Sequence, residues 1–174
     1  MLTKRQQQVL QLTNCYPFFG IYPASSQPGY YATAGVGYVG HSTLYYLMDS
    51  GLLAFAENRD VCITPTGQRL ATILAELPAP LTRRQWQILL RFRDVGSDSG
   101  SKYTSTFRAG NGMWQLPCTE SEWHTWNQSL PDTNERTMRT LCDYGLIGFE
   151  YTEISDTPYA HLTPLGEELV SLLP

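Results

Sequence analysis

The sequence predicts an α+β protein, mainly α, that is built from two tandem copies of one small module. Three blocks of sequence recur in the same order in the two halves of the 174-residue chain. Apolar residues in the first two blocks of each half follow helical spacing. Short apolar runs separated by turn-forming or polar residues come next, as in a β-hairpin. Self-similarity of this kind indicates an internal repeat.

The repeated blocks also predict where the modules begin and end. Three pairs of segments match: 2–10 with 81–89, 43–53 with 137–147, and 63–70 with 162–169. The offset between the copies grows from 79 to 94 to 99 positions, so the second copy carries about 15 extra residues before its middle block. We therefore predict module 1 at 1–77, module 2 at 81–174 with this insertion, and a proline-stiffened linker at 78–80.

The first block predicts a helix at the start of each module. Thr3 and Thr82 suit the N-cap position, because a glutamine three residues later completes a capping box. The helix positions expected to face the core are Val9, Leu10 and Leu12 in module 1 and Trp86, Leu89 and Leu90 in module 2.

The middle and last blocks predict a helix, a hairpin and a final helix in each module. Gly51 and Gly145 suit the left-handed position that ends a helix. The expected hairpin strands are 52–55 and 61–64 in module 1 and 146–149 and 161–163 in module 2. Thr64-Pro65 and Thr163-Pro164 begin the final helices, with proline at the first helical position, where its missing N–H costs nothing.

The segments between the first and middle blocks are rich in glycine and aromatic residues. Gly35, Gly37 and Gly40 weaken any helix in the first of these segments, whereas 121–126 suits a helix in the second. Such loops can fill a small core, which is the favoured interpretation, or present a protein-binding surface, which is the alternative. The aromatic residues of that alternative surface are Tyr30, Tyr31, Trp114, Trp123 and Trp126.

This order of elements resembles the winged-helix fold, and the motifs resemble those of MarR- and PadR-type regulators. In those proteins a helix ends in Gly-Leu-Ile, as at 145–147 here, and the wing is followed by Leu-Thr-Pro-x-Gly, as at 162–166. The resemblance covers most of both halves. It implies a winged helix-turn-helix protein whose helix before the wing enters the DNA major groove. The long dimerisation helices of MarR-type regulators have no counterpart, so the tandem copy is expected to replace the dimer partner.

By this resemblance, 41–50 and 134–144 are the recognition helices. The residues implied to contact DNA are Asn134, Arg136, Thr137, Arg139 and Thr140 in the second helix and His41, Ser42, Thr43 and Tyr45 in the first. Arginine can pair bidentately with guanine and asparagine with adenine. Phosphate contacts are expected from Arg59 in the first wing and from Arg83, Arg84, Lys102 and Arg108. The alternative is that these positions are only the solvated faces of amphipathic helices.

The charge pattern leaves two function hypotheses open. The net charge of −4 argues against an indiscriminate nucleic-acid binder, and the second wing, 150–156, is acidic where phosphate would lie. The first hypothesis is a DNA-binding transcriptional regulator that uses its two modules as a pseudo-dimer. The second is a protein-binding adaptor or inhibitor, for example a small phage-type protein that blocks a host complex, on a winged-helix scaffold without DNA binding.

No motif in the sequence predicts catalysis, a cofactor or a metal site. There is no nucleotide-binding loop and no nucleophile elbow, and the three histidines and four cysteines lack metal-ligand spacing. No apolar run approaches the roughly 18 residues of a membrane span, and the N-terminus has no signal-peptide core. We therefore expect a non-enzymatic, cytoplasmic protein without a cofactor.

Overall fold

The structure, a computed structural model, describes residues 1–15, 18–19, 21–23, 30–33, 37–57, 61–95, 106–108, 112–119, 132–152 and 155–173. The described residues form an α+β protein, mainly helical, with small antiparallel sheets. The chain divides into unit 1, Met1–Thr82 with Leu172–Pro174, and unit 2, Arg83–Ser171. The predicted module bounds of 1–77 and 81–174 and the linker at 78–80 stay a prediction.

Unit 1 contains three described helices and two small antiparallel sheets. Its elements are α1 (Lys4–Cys15), β1 (Phe18–Phe19), β2 (Ile21–Pro23), β3 (Tyr30–Thr33), β4 (Gly37–Gly40), α2 (His41–Asp49), β5 (Leu53–Phe55), β6 (Val61–Ile63) and α3 (Pro65–Glu76). One sheet has the order β1-β6-β5 and the other β2-β3-β4. The described hairpin strands β5 and β6 agree with the predicted ones to within one residue at each end.

Unit 2 also has three described helices and a hairpin before the last of them, but three described strands, not four, between its first two helices. Its elements are α4 (Arg83–Val95), β7 (Thr106–Arg108), β8 (Met113–Gln115), β9 (Asp132–Asn134), α5 (Glu135–Asp143), β10 (Ile147–Thr152), β11 (Ser155–Leu162) and α6 (Pro164–Ser171). One sheet has the order β10-β11-β7-β8-β9. The hairpin strands β10 and β11 are longer than the predicted 146–149 and 161–163.

In each unit the returning hairpin strand lies between two neighbours. One neighbour is the other strand of the hairpin, and the other neighbour is a short strand that follows the first helix of the unit. The resulting order is β5-β6-β1 in unit 1 and β10-β11-β7 in unit 2. All of these pairings are antiparallel, with Phe18 opposite Cys62 and Phe107 opposite Tyr159. The hairpin and this short strand are therefore arranged alike in the two units, although the sheet of unit 1 has three strands and that of unit 2 has five.

The first helix of unit 1 begins with the predicted capping box. The Gln6 N–H donates to Thr3 Oγ1 at 3.2 Å, and the Thr3 N–H donates to Gln6 Oε1 at 2.7 Å. The fully buried residues of α1 and α4 include Val9, Leu10, Trp86 and Leu89. The predicted core faces of these helices are therefore confirmed at those four positions.

Leu12 was predicted to face the core, and this prediction is wrong because its side chain is 36% exposed. At about 100° per residue, position 12 lies about 200° around the helix from Leu10. The buried stripe instead continues through Thr13, whose hydroxyl donates to the Val9 carbonyl at 2.6 Å. The predicted core residue Leu90 is half-buried.

Both units form the junction between helix, hairpin and final helix from the same contacts. The glycine that ends the helix has a φ of +68° in unit 1 and +69° in unit 2, so the predicted left-handed position is confirmed. The next leucine donates its N–H to a helix carbonyl at 2.9 and 3.0 Å, and its carbonyl accepts the N–H of a threonine at 3.1 Å in both units. The residues of the junction are Leu47, Gly51, Leu52 and Thr64 in unit 1 and Leu141, Gly145, Leu146 and Thr163 in unit 2.

The final helices α3 and α6 begin at proline, as predicted. Thr64 Oγ1 accepts the N–H of Gly67 at 3.0 Å, and Thr163 Oγ1 accepts that of Gly166 at 3.1 Å. A Cβ on either glycine would lie far inside van der Waals contact with the carbonyl oxygen of the preceding hairpin leucine. The Thr-Pro-x-Gly motif is therefore required by the close approach of the helix to the hairpin.

The described part of the segment between the first and middle blocks of unit 1 is a sheet. Strands β2, β3 and β4 are antiparallel neighbours, and β4 runs directly into α2. In unit 2, β9 likewise runs directly into α5. The helix predicted at 121–126 lies outside the described residues.

Candidate functional site

The start of α5 uses two of the predicted DNA-contacting residues to form the helix itself. Asn134 is the N-cap, and its Oδ1 accepts both the N–H and the hydroxyl of Thr137 at 2.9 Å. The Thr140 hydroxyl donates to the Arg136 carbonyl at 2.9 Å. These three polar groups therefore have partners within the helix.

The two arginines of α5 have different environments. Arg136 is exposed and makes no hydrogen bond or ion pair through its side chain to any described residue. Arg139 donates from Nε to Glu135 Oε1 at 2.8 Å. The hydrogen bond and the negative charge of Glu135 raise the pKa of Arg139, which stays cationic. Arg136 is therefore the available cation of this helix, and the charge of Arg139 is matched by Glu135.

Glu135 also connects α5 to the sheet of unit 2. Its Oε2 accepts the indole N–H of Trp114 at 2.7 Å. Trp114 is only 2% exposed, and its ring stacks on that of Phe149 with a centroid distance of 4.8 Å and an interplanar angle of 21°. The burial of Trp114 agrees with the favoured interpretation, in which the aromatic residues of this segment fill the core, and not with the alternative of an exposed partner surface.

A cleft of about 340 Å³ lies beside this cluster in unit 2. Its lining residues are Trp114, Glu135, Arg139, Cys142, Asp143, Phe149, Tyr151 and Pro158. Asp143 is exposed and makes no hydrogen bond or ion pair to any described residue, and Tyr151 is 72% exposed. Sequence reasoning missed this cleft, although Glu135, Arg139 and Asp143 at four-residue spacing signal one charged helix face.

The matching helix of unit 1, α2, presents a polar and aromatic face at its start, without lysine, arginine or acidic residues. His41, Ser42 and Tyr45 are exposed, and Thr43 is half-buried. The rings of His41 and Tyr45 meet edge to face with centroids 4.2 Å apart. Nearby, Arg5 Nη2 donates to the carbonyl of Tyr38, which lies in β4 just before this helix.

The other residues predicted to contact DNA or a protein partner lie on several elements. Arg83 is exposed and makes no hydrogen bond or ion pair to any described residue, whereas Arg84 donates to the Asp132 carbonyl. Tyr30 and Tyr31 lie in β3, and Arg108 lies in β7. Arg59, Lys102, Trp123 and Trp126 lie outside the described residues.

No family model, curated protein or solved structure matches this chain. Within the described ranges, no group of three or more histidine, cysteine or acidic side chains is placed to hold a metal ion. None of the described helices has the length and apolar character that crossing a membrane requires.

Proposed function

We propose that this chain is a tandem winged-helix protein that binds duplex DNA as a transcriptional regulator, with its two modules in the role of a pseudo-dimer. The observation that carries the proposal is the helix placed directly before the hairpin in both units. In each unit this helix joins the hairpin through the same hydrogen bonds, and its first turn presents exposed side chains, which are His41 and Ser42 in α2 and Arg136 in α5. The strand orders β1-β6-β5 and β7-β11-β10 support the same assignment.

In this proposal Arg136 is the principal DNA contact of α5. It has no partner among the described residues and lies in the first turn, where recognition helices meet base edges. Asn134, Thr137, Arg139 and Thr140 position the helix start or meet the phosphate backbone. In α2 the corresponding contacts come from His41, Ser42, Thr43 and Tyr45, and Arg83 adds a contact to phosphate.

The acidic residues around α5 limit how strong this binding is. Glu135 and Asp143 lie on the same helix, and Glu150 lies exposed on β10. With only two or three phosphates neutralised, the affinity should fall with a log–log salt slope of about −2 to −3. The proposal therefore predicts a selective, salt-sensitive binder.

The test is fluorescence anisotropy of a labelled mixed-sequence duplex, titrated at about 50 mM salt, where nonspecific contacts are strong, and again as salt rises. Arg136→Ala should weaken binding about tenfold, since one well-placed arginine contact contributes about 1–3 kcal/mol. Arg69→Ala removes the same charge from an exposed position of α3 and is the matched control. Equal losses in both variants, or no binding by the unmodified protein, would exclude this role for α5.

A second candidate function is protein binding, in an adaptor or inhibitor that keeps the winged-helix scaffold. The cleft beside α5 favours it, because an aromatic and acidic surface suits a protein partner better than phosphate. Absence of DNA binding at low salt, with the protein folded, would favour this function over the first.

A further inference from the structure

The cleft of unit 2 has the size of a site for one long side chain or a small molecule. Its volume of about 340 Å³ lies at the lower end of the roughly 300–1,000 Å³ typical of ligand sites. It lies between α5 and the β10–β11 hairpin, and Trp114 of β8 also lines it. All of its lining residues belong to unit 2.

The charges at the cleft leave one carboxylate uncompensated. Both oxygens of Glu135 have partners, since Oε2 accepts from Trp114 and Oε1 accepts from Arg139. The charge of Arg139 is therefore matched within α5. Asp143 makes no hydrogen bond or ion pair to a described residue, and its charge acts on Arg139 only at longer range, where it contributes to the raised pKa of that arginine. The cleft thus carries a net negative charge that a ligand cation would neutralise.

The aromatic lining suits a planar cation. Phe149 is held in place by its stack on Trp114. Tyr151 stands at the cleft with most of its ring exposed. Ring faces attract cations, and a guanidinium stacks on aromatic rings while it binds a carboxylate through two N–H groups. An alkyl chain would lie against the apolar surface of Phe149 and Pro158.

We propose that this cleft binds a guanidinium group on an alkyl chain, with Asp143 as its carboxylate partner and Tyr151 as its aromatic wall. The group is supplied either by an arginine side chain of a protein partner or by a small free guanidine compound. The proposal does not require that the chain bind DNA, so the two can fail separately.

Unit 1 provides a matched control for the key carboxylate. Asp49 ends α2 as Asp143 ends α5, at the offset of 94 positions that relates the middle blocks. Tyr45 occupies the position of Arg139, and Phe55, which matches Phe149, is 61% exposed. Replacing Asp49 therefore removes the same charge from the same helix position without altering the cleft.

The experiment measures binding of two probes by isothermal titration calorimetry. One is N-acetylarginine amide, and the other is a short glycine–serine peptide with a single central arginine. Asp143→Asn should weaken binding about tenfold, because it removes the carboxylate charge, and Tyr151→Ala about threefold, because it removes the aromatic face. Asp49→Asn should bind as the unmodified protein does. Citrulline in place of arginine, which keeps the shape and removes the charge, should abolish binding.

Each result supports or overturns the proposal. Much tighter binding of the peptide than of the free amide assigns the site to a protein partner, and equal binding assigns it to a small guanidine compound. The proposal is overturned if neither probe binds at millimolar concentration, if citrulline or lysine binds as well as arginine, or if Asp49→Asn and Asp143→Asn lose affinity equally. Circular dichroism melting of each variant verifies that it is folded.

Discussion

The helices that precede the two hairpins carry chemically different side chains at two matching positions of their first two turns. Positions 41 and 45 of α2 hold histidine and tyrosine, whose rings meet edge to face. The matching positions of α5 hold Glu135 and Arg139, which form an ion pair. One pair is aromatic, without lysine, arginine or acidic residues, and the other is charged and connected through Glu135 to Trp114. The same backbone element therefore presents two different surfaces.

The junctions between helix, hairpin and final helix differ much less between the two units. The helix-ending glycines have φ values one degree apart, and the hydrogen bonds of their leucines differ by 0.1 Å at most. Junction contacts depend on backbone approach and on buried leucines, whereas exposed side chains meet few such constraints. The junction contacts therefore support the backbone arrangement common to both units, and any difference in binding between the units arises from their exposed side chains.

The first helices show a second difference, at a fully buried position. Gln7 of α1 donates from its amide to the carbonyls of Leu2 and Leu81 at 3.2 and 2.8 Å, and it accepts the Leu81 N–H at 2.9 Å. The matching residue of α4 is Trp86, whose buried indole N–H has no acceptor among the described residues. The buried position that holds a hydrogen-bonded glutamine in unit 1 thus holds, in unit 2, a buried tryptophan whose N–H has no described acceptor.

The largest expected effect tests whether the two junctions are equivalent. Gly67→Ala and Gly166→Ala each place a Cβ against a backbone carbonyl that cannot move without displacing the hairpin. Each should lower the free energy of unfolding by about 3 kcal/mol or more, measured by urea denaturation. Thr66→Ala and Glu167→Ala, at exposed neighbouring positions, should change it by less than about 0.5 kcal/mol. A much smaller loss of unfolding free energy in one unit than in the other would show that the two junctions are not equivalent.

The next prediction compares the buried residues Gln7 of α1 and Trp86 of α4. Gln7→Leu leaves the Leu81 N–H and two buried carbonyls without the amide, and should cost about 2–3 kcal/mol of unfolding free energy. Trp86→Phe loses no hydrogen bond to a described residue and should cost only about 1 kcal/mol, from lost ring volume. Urea denaturation of the two variants side by side gives both values. Equal losses of unfolding free energy would show that Gln7 stabilises the protein by filling space and not through its hydrogen bonds.

The smallest effect concerns pH and the second hairpin. The Tyr159 hydroxyl donates to Glu150, and this hydrogen bond, followed by burial and the charge of Glu150, raises the pKa of Tyr159 above its ordinary value of 10.0. Because the folded pKa is the higher one, the stabilisation is complete below pH 10 and is lost as the pH rises through the folded pKa. The described hairpin residues of unit 1, 53–55 and 61–63, hold no such pair.

The ring-carbon NMR titration of Tyr159 measures this shift directly, with Tyr159→Phe to assign the resonance. Glu150→Ala should return the pKa of Tyr159 toward 10. Above pH 10, thermal stability should fall more steeply in the unmodified protein than in Tyr159→Phe. Parallel decline in both proteins would contradict a role for this hydrogen bond.

Much of the local structure could be predicted because its causes lie within a few residues. The capping box of Thr3 and Gln6, the left-handed Gly51 and Gly145, and the proline starts of α3 and α6 each depend on short-range geometry. Leu12 was misplaced because a single residue near a helix end fits more than one orientation of the apolar stripe. Core packing was the favoured interpretation for Trp114, but its neighbours could not be predicted, because Phe149 and Glu135 follow it by 35 and 21 residues.

The helices, the hairpins and the motifs that begin and end them could be predicted from the amino-acid sequence, because capping, glycine φ preference and apolar spacing are local properties. The strands β1–β4 and β7–β9 were not predicted. Only the tertiary structure decided which charges remain unmatched and where a cleft opens. Glu135 satisfies Trp114 and Arg139 at once, and Asp143 is left without a hydrogen bond or ion pair to a described residue. Such an arrangement depends on contacts between distant segments, and no local pattern encodes which segments meet.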